Sequence, residues 1–295
     1  MGYLFLTAAL AAGLIKGFCG KTISGKITDS TDSFIINFMR MVLCTVIGFI
    51  LAFASSGKID IFRADAGFLL LSLMSGVFSS AFIITWVLSV KTGAYAMVET
   101  FIMAGTAVPM IGASLIFKES VSPVQWAGFT IVIAGVLILC SYNNSVKAKI
   151  NLKSLLLLLS VGLSNGFADL SQKLFTGMYP DANNAVFNFY TYVFSALVIG
   201  VLLAVKRVKI PHVKSKITET GIYIIIMAIA LFANSYFKVE AARLIDAAKL
   251  YPLNQGAALA LSTIMASVFF GEKIKPKCVL GLVLGFAGIC IMNMF

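Results

Sequence analysis

The segment FKESVSPVQWAGFTIVIAG at 117–135 returns as FGEKIKPKCVLGLVLGFAG at 270–288, so that Glu119, Pro123, Gly128 and Gly135 fall on Glu272, Pro276, Gly281 and Gly288 at an offset of 153. The spacing is not isolated. GLIKGF at 13–18 matches GLSNGF at 162–167 at an offset of 149, and NFMRMV at 37–42 matches NFYTYV at 188–193 at 151. Apolar segments that resembled one another by chance would not hold one offset within four residues across most of a chain. The sequence therefore reads as two copies of one unit, 1–145 and 146–295.

Each copy contains five apolar runs of membrane-spanning length. The ten predicted helices fall near 3–20, 34–54, 67–90, 94–117, 124–142, 154–175, 185–205, 221–242, 247–270 and 278–294. Five is odd, so two consecutive copies must insert in opposite senses, related by a pseudo-two-fold axis in the membrane plane. The predicted fold is an all-α membrane protein with ten transmembrane helices as two inverted five-helix repeats. Many secondary transporters share that design, with a substrate site near the midplane between the repeats.

Composition excludes the main alternatives. With 60% hydrophobic and 12% charged residues, the chain could not cover the surface of a water-soluble domain. The first apolar run has no clear cleavage site after it and reads as the first span. The net charge of +11 sits mostly in short loops, where it faces phospholipid head groups rather than nucleic acid. The five cysteines, Cys19, Cys44, Cys140, Cys278 and Cys290, show no CxxC pattern and read as small hydrophobes. The one histidine, His212, lies in a basic segment, so no metal site and no cofactor is expected. There is no HExxH, GxSxG or Walker loop, which argues against an enzyme and against direct use of ATP. Uphill transport would need a coupled ion gradient.

The GLxxGF segment opening each copy, the F-x-E-x-x-x-P loop and the final helix running into AG resemble the drug/metabolite transporter superfamily. The likeness is to its ten-helix EamA-like branch and covers nearly the whole chain. AYAMV at 94–98, and the run from Tyr251 to FFGE at 269–272, are also similar to the four-helix small multidrug resistance proteins. Those proteins carry a glutamate in their first helix, where this chain has Leu14 and Leu163. The resemblance implies transport of a small solute; its members move amino acids, amines, nucleotide sugars and drugs. Loops after odd-numbered spans are the richer in Lys and Arg, whereas the EamA-like family is generally described with both termini inside. Orientation stays open, as does import against export.

Within this frame, Gly13 and Gly17, Gly162 and Gly166, and Gly281 and Gly285 form small-xxx-small seams for close helix packing. Intramembrane polar groups are costly and face a cavity or a partner. Glu99 is the candidate proton-coupling or cation-binding carboxylate; the alternative is an interfacial pairing with Lys91 or a lipid head group. Its functional reading draws on the resemblance, because the matching AYA segment lines a pocket in the small multidrug resistance proteins. Asp169 and Lys173 share a face of the sixth predicted span and are spaced to neutralise each other. Asn165 and Asp169 on that face read as cavity lining. Lys16, whose repeat partner is Asn165, is expected to meet a carboxylate or hydroxyl of the cargo, or else to snorkel to the interface. Arg40 stands where the family commonly places an arginine, open between structural and functional roles. The charges from Lys238 to Lys249 read as an interfacial ladder. Asn188, Asn234 and Asn254 are deep amides suited to a cavity, Tyr95 is a further lining residue, and Trp86 and Tyr251 could hold an ammonium group by cation–π contact.

The expected protein is a secondary active transporter of a small polar organic metabolite, amino-acid-, amine- or drug-like, proton-coupled or exchange-driven. The alternative is a flippase for a lipid or polyprenyl-linked carrier. Its partners are the small-molecule substrate and the lipid bilayer, as a monomer or homodimer in a bacterial plasma membrane.

Overall fold

Hydrocarbon offers no partner to a peptide N–H or C=O, so each apolar run must close its hydrogen bonds internally as a helix. The computed structural model describes residues 1–24, 26–56, 64–91, 95–141, 152–208, 210–271 and 276–294, and among them every regular element is helical. In chain order these are α1 (Gly2–Ser24), α2 (Ser30–Ser56), α3 (Ala66–Lys91), α4 (Tyr95–Gly105), α5 (Ala107–Phe117) and α6 (Pro123–Ser141). They are followed by α7 (Leu152–Met178), α8 (Asn184–Val205), α9 (Ile210–Ala242), α10 (Ala247–Phe270) and α11 (Pro276–Met294). Among the described residues seven helices, α1, α2, α3, α7, α8, α9 and α10, are long and apolar enough to cross a membrane. Shorter apolar stretches lie at Phe101–Phe117, Pro123–Ile138 and Val279–Met292.

Two predicted spans come out differently. The run at 94–117 is broken into α4 and α5. Pro109 has no N–H to offer the carbonyl of Gly105, and the Thr106 hydroxyl donates to Met103 O at 2.7 Å, tightening the turn. The predicted loop before 221 is helical from Ile210, so α9 runs a full 33 residues. Pro211 suits the first turn of a helix, where its missing N–H is not needed. Lys216 then holds the extension against α2, 3.1 Å from Asp32.

The helix starts follow local chemistry. Asp65 accepts from the N–H of Phe68 at 2.8 Å ahead of α3, and Asn183 accepts from that of Ala185 at 2.8 Å ahead of α8. At α6, Ser122 and Gln125 satisfy each other's backbone N–H reciprocally, at 3.2 and 2.9 Å, in a capping box with Pro123 at the first helical position.

The chain divides into two compact units, Met1–Ser80 with Leu174–Arg243, and Ala81–Lys173 with Leu244–Phe295. Each draws on both sequence halves. In the first unit α1 packs along α9, and α2 packs along α8 and α9. α1 and α9 run antiparallel: a Cβ on Gly13 would lie 3.2 Å from the Asn234 amide, and one on Gly20 would lie 3.9 Å from Met227. Gly17, expected on this seam, is exposed instead. Between α2 and α8, a Cβ on Gly48 would lie 3.0 Å from the Cα of Phe189, and one on Gly200 would lie 3.0 Å from the Phe38 ring. Phe38 and Phe189 are repeat partners, and each is set against a glycine of the other helix. An aromatic cluster completes this unit, with Phe175 stacked on Phe187 at 4.1 Å and Phe68 edge-on to Phe175 at 5.5 Å.

In the second unit α6 lies along α11. A Cβ on Gly128 would come within 2.8 Å of Gly288 O, and one on Gly135 within 2.8 Å of Gly281 O and 2.6 Å of Gly285 N. Gly128 matches Gly281 and Gly135 matches Gly288, so this antiparallel pair exchanges equivalent contacts crosswise. A Cβ on Gly105 would overlap the carbonyl of Gly162, and one on Gly166 the carbonyl of Gly105, which locks α7 onto α4 and α5. Met103, Met110, Phe129 and Val132 form the apolar core there. Large apolar side chains that no core covers, such as Leu115 at 78% exposure and Phe286 at 70%, are the lipid-facing surface. In water such a surface would aggregate.

Candidate functional site

In the first unit, polar and charged groups of α1, α2, α8 and α9 come together. Lys16 stands one turn beyond the Gly13 seam, half-buried. The charges that act on it are those of Arg40 from α2 and Lys238 from α9, with Cys44 nearby. Arg40 donates through Nη1 to Asn37 Oδ1 at 2.8 Å, and its Nε is buried with no hydrogen-bond partner among the described residues. Cys44 and Tyr192 are the groups that face Arg40, and no described carboxylate acts on either Lys16 or Arg40. Cys44 follows Arg40 by one turn, and its thiol donates to Ala228 O on α9 at 3.3 Å.

A chain of amides borders this cluster. Ser235 donates to Asn188 Oδ1 at 2.7 Å, Asn188 to Asn184 Oδ1 at 2.5 Å, and Asn184 to Glu240 Oε1 at 3.1 Å. All the donors point toward the carboxylate, so the local dipoles support its charge and fix the rotamers of α8 and α9. Asn37 and Asn188, repeat partners, make the same local bond: each donates to the carbonyl four residues back, Ser33 O at 2.8 Å and Asn184 O at 3.0 Å. Asn234 does not enter the cluster; its amide donates to Ala9 O at 2.7 Å and fastens α9 to α1. Of the predicted charge ladder, Arg243 donates to Pro180 O and to Ala182 O (2.6 Å), holding the connection before α8, and lies 3.7 Å from Glu240.

The second unit treats charge differently. Lys173 at the end of the polar face of α7 lies 2.6 Å from Glu119, a pair with side chains 9% and 16% exposed. Lys173 also donates to Ile245 O at 3.3 Å, and Glu119 accepts from the N–H of Ala247 at 2.9 Å, which ties the start of α10 to the same carboxylate. Tyr251, fully buried, donates its hydroxyl to Asp169 O at 2.9 Å. Nδ2 of Asn165, Oε1 of Gln172 and Oδ1 of Asn254 are buried without partners among the described residues. Trp86 packs beside the cluster of Val98, Ile102, Leu158 and Val161. The side chains of Tyr95 and Glu99 lie outside the described residues. No group of three or more His, Cys, Asp or Glu suited to a metal occurs among the described residues.

The structure thus gathers Lys16 and Asn188 in one unit and Asn165, Asp169, Tyr251 and Asn254 in the other. Sequence reasoning left Lys238 in a surface ladder and did not connect Arg40 to Lys16. Asn37, Asn184 and Ser235 were not singled out, although the NF dipeptide shared by the two copies marks Asn37 and Asn188 together.

Repeated apolar helices and a lipid-facing exterior define an integral multi-pass membrane protein. The model of the EamA-like transporter family matches twice, over residues 2–141 and 152–294, and the chain belongs to that family. No curated protein matches the chain. The chain is similar to a crystal structure of a protein that shares 12% identity, with a TM-score of 0.77 over 99% of this chain and 96% of the other; at that identity the likeness is one of fold.

Proposed function

We propose that the protein is a secondary active transporter of a small polar organic metabolite. It works by alternating access between two inverted halves, 1–145 and 146–295, each contributing five transmembrane helices to a total of ten. The observation that carries this reading is the crosswise packing of repeat-equivalent residues. Gly128 meets Gly288 while Gly135 meets Gly281, the pattern expected of a two-fold axis between α6 and α11. The unpartnered amide atoms of Asn165, Gln172 and Asn254 support a hydrated path in the second unit, since such atoms buried in lipid would be costly. Glu99 is the coupling carboxylate in this reading, under a proton gradient or by exchange, and the membrane is a bacterial plasma membrane.

The test is uptake by proteoliposomes of a panel of radiolabelled amino acids, amines and carboxylates, with and without an imposed pH gradient. Accumulation above equilibrium that requires the gradient is the expected result. Equilibration alone would limit the protein to exchange. Scrambling of a fluorescent phospholipid without solute flux would replace the reading with a carrier flippase. Gradient-driven flux unchanged in Glu99→Gln would remove Glu99 from the mechanism.

A further inference from the structure

Two cations on helices that both pack against α9, with a third on α9 itself and no described carboxylate acting on the first two, form an arrangement that lipid disfavours. Each Lys or Arg at membrane depth costs on the order of 3 kcal/mol on insertion scales, and like charges in a low dielectric add to it. A purely structural role would be met by a neutral residue, and the chain itself supplies the comparison. Lys16 corresponds to Asn165 and Arg40 to Thr191 in the second copy. The glycine seam and the Asn37–Ser33 bond recur there; the charges do not.

The orientation of Arg40 narrows the chemistry. Nη1 is held by Asn37, and Nε, on the side-on edge of the guanidinium, is buried and unpartnered. That edge presents parallel donors matched to two oxygens of a carboxylate or phosphate. Lys16 supplies a mobile point charge that needs no fixed geometry.

We propose that Lys16 and Arg40, reinforced by Lys238, form an oxyanion site that takes the carboxylate or phosphate of a small organic anion. The site's role in cargo recognition rests on the transport reading; its anion affinity does not. The defining group is an oxyanion, which a soluble metabolite or an anionic lipid head group could each provide, and the assignment is to the soluble metabolite.

The experiment uses the purified full chain, in detergent and in nanodiscs of zwitterionic lipid. Its melting temperature is read against succinate and inorganic phosphate at constant ionic strength, with a diamine as control. The expected result is a saturable rise, roughly 5 °C at a hundredfold excess over Kd, with one of the two anions. Arg40→Gln and Lys16→Asn each weaken the apparent affinity about tenfold or more, and Arg40→Lys gives an intermediate loss because it keeps charge without the fork. If Arg40→Gln does not fold, Lys16→Asn carries the test, because it installs the residue of the matching helix.

A rise produced by the diamine, or an anion response equal in wild type and both variants, overturns the proposal. A response abolished in nanodiscs containing anionic lipid, while present in zwitterionic ones, overturns the assignment to a soluble metabolite. Anion binding without flux in proteoliposomes keeps the site and sinks the transport reading. Flux of neutral or cationic solutes, indifferent to Lys16→Asn and Arg40→Gln, keeps transport and sinks the site.

Discussion

Lys173 is buried and Arg40 half-buried among apolar helices, one in each compact unit, and the protein has set these two cations in opposite situations. Lys173 is matched by Glu119 at 2.6 Å and by two backbone bonds around the same corner. Arg40 has a neutral amide, a thiol and a phenol for company, and its charge bears on that of Lys16, another cation. The scaffolds of the two units are alike, each with an antiparallel helix pair packed through glycines, α6 with α11 and α2 with α8. The difference lies in how each cation is partnered. A matched cation fastens a loop to a helix start, whereas an unmatched one leaves binding capacity for something that is not part of the chain.

Four substitutions test that contrast, and the largest effect belongs to the matched cation. Lys173→Met strands Glu119 in a nearly closed site and is expected to cost roughly 3–5 kcal/mol, read as a drop of about 10 °C in melting temperature. Adding Glu119→Leu should recover much of the loss, though not the bond to Ala247; a double variant no better than the single would show that the pair is not the source.

Gly135→Ala comes next. Its methyl would meet the backbone of Gly281 and Gly285, which cannot step aside, at about 1–3 kcal/mol. A melting temperature unchanged by this substitution would mean that α6 and α11 are not packed through these glycines.

Arg40→Thr copies the second repeat and should act with the opposite sign. Relief from an unmatched charge outweighs the bond lost to Asn37, for a net gain of about 1 kcal/mol and a melting temperature a few degrees higher. A fall as large as that of Lys173→Met would erase the distinction between the two cations.

Gly285→Ala should be the smallest, within about 0.5 kcal/mol of wild type. Its Cβ direction is open to 4 Å, although its backbone touches Gly135. A large loss there would show that the seam tolerates no side chain at all.

Much of the fold was legible because glycine and motif spacing survive in both copies at one offset. The division of 94–117 into two helices was not, because Phe101 to Phe117 is continuously apolar and the break depends on what Pro109 withholds from Gly105. The facing of polar residues could not be read from the sequence. Asn234 was expected in a cavity, yet its amide serves the backbone of α1. Lys16 stood out because one helix holds it among apolar neighbours. Its relation to Arg40 is set by the packing of α1, α2 and α9, which no local pattern encodes. Glu119 appeared in the F-x-E-x-x-x-P loop and Lys173 as a partner for Asp169, but the meeting of Glu119 and Lys173 depends on where the loop before α6 lands.

The crosswise glycines between α6 and α11 bear on ancestry. A contact in which each helix offers the other its own counterpart is the contact a protein makes with a second copy of itself. A half-length ancestor would have found this partner in an identical chain inserted upside down, and every substitution in it would have been felt twice. Fusion of two such copies would end that constraint. Only after it could a lysine and an arginine appear on one side without a mirror image on the other.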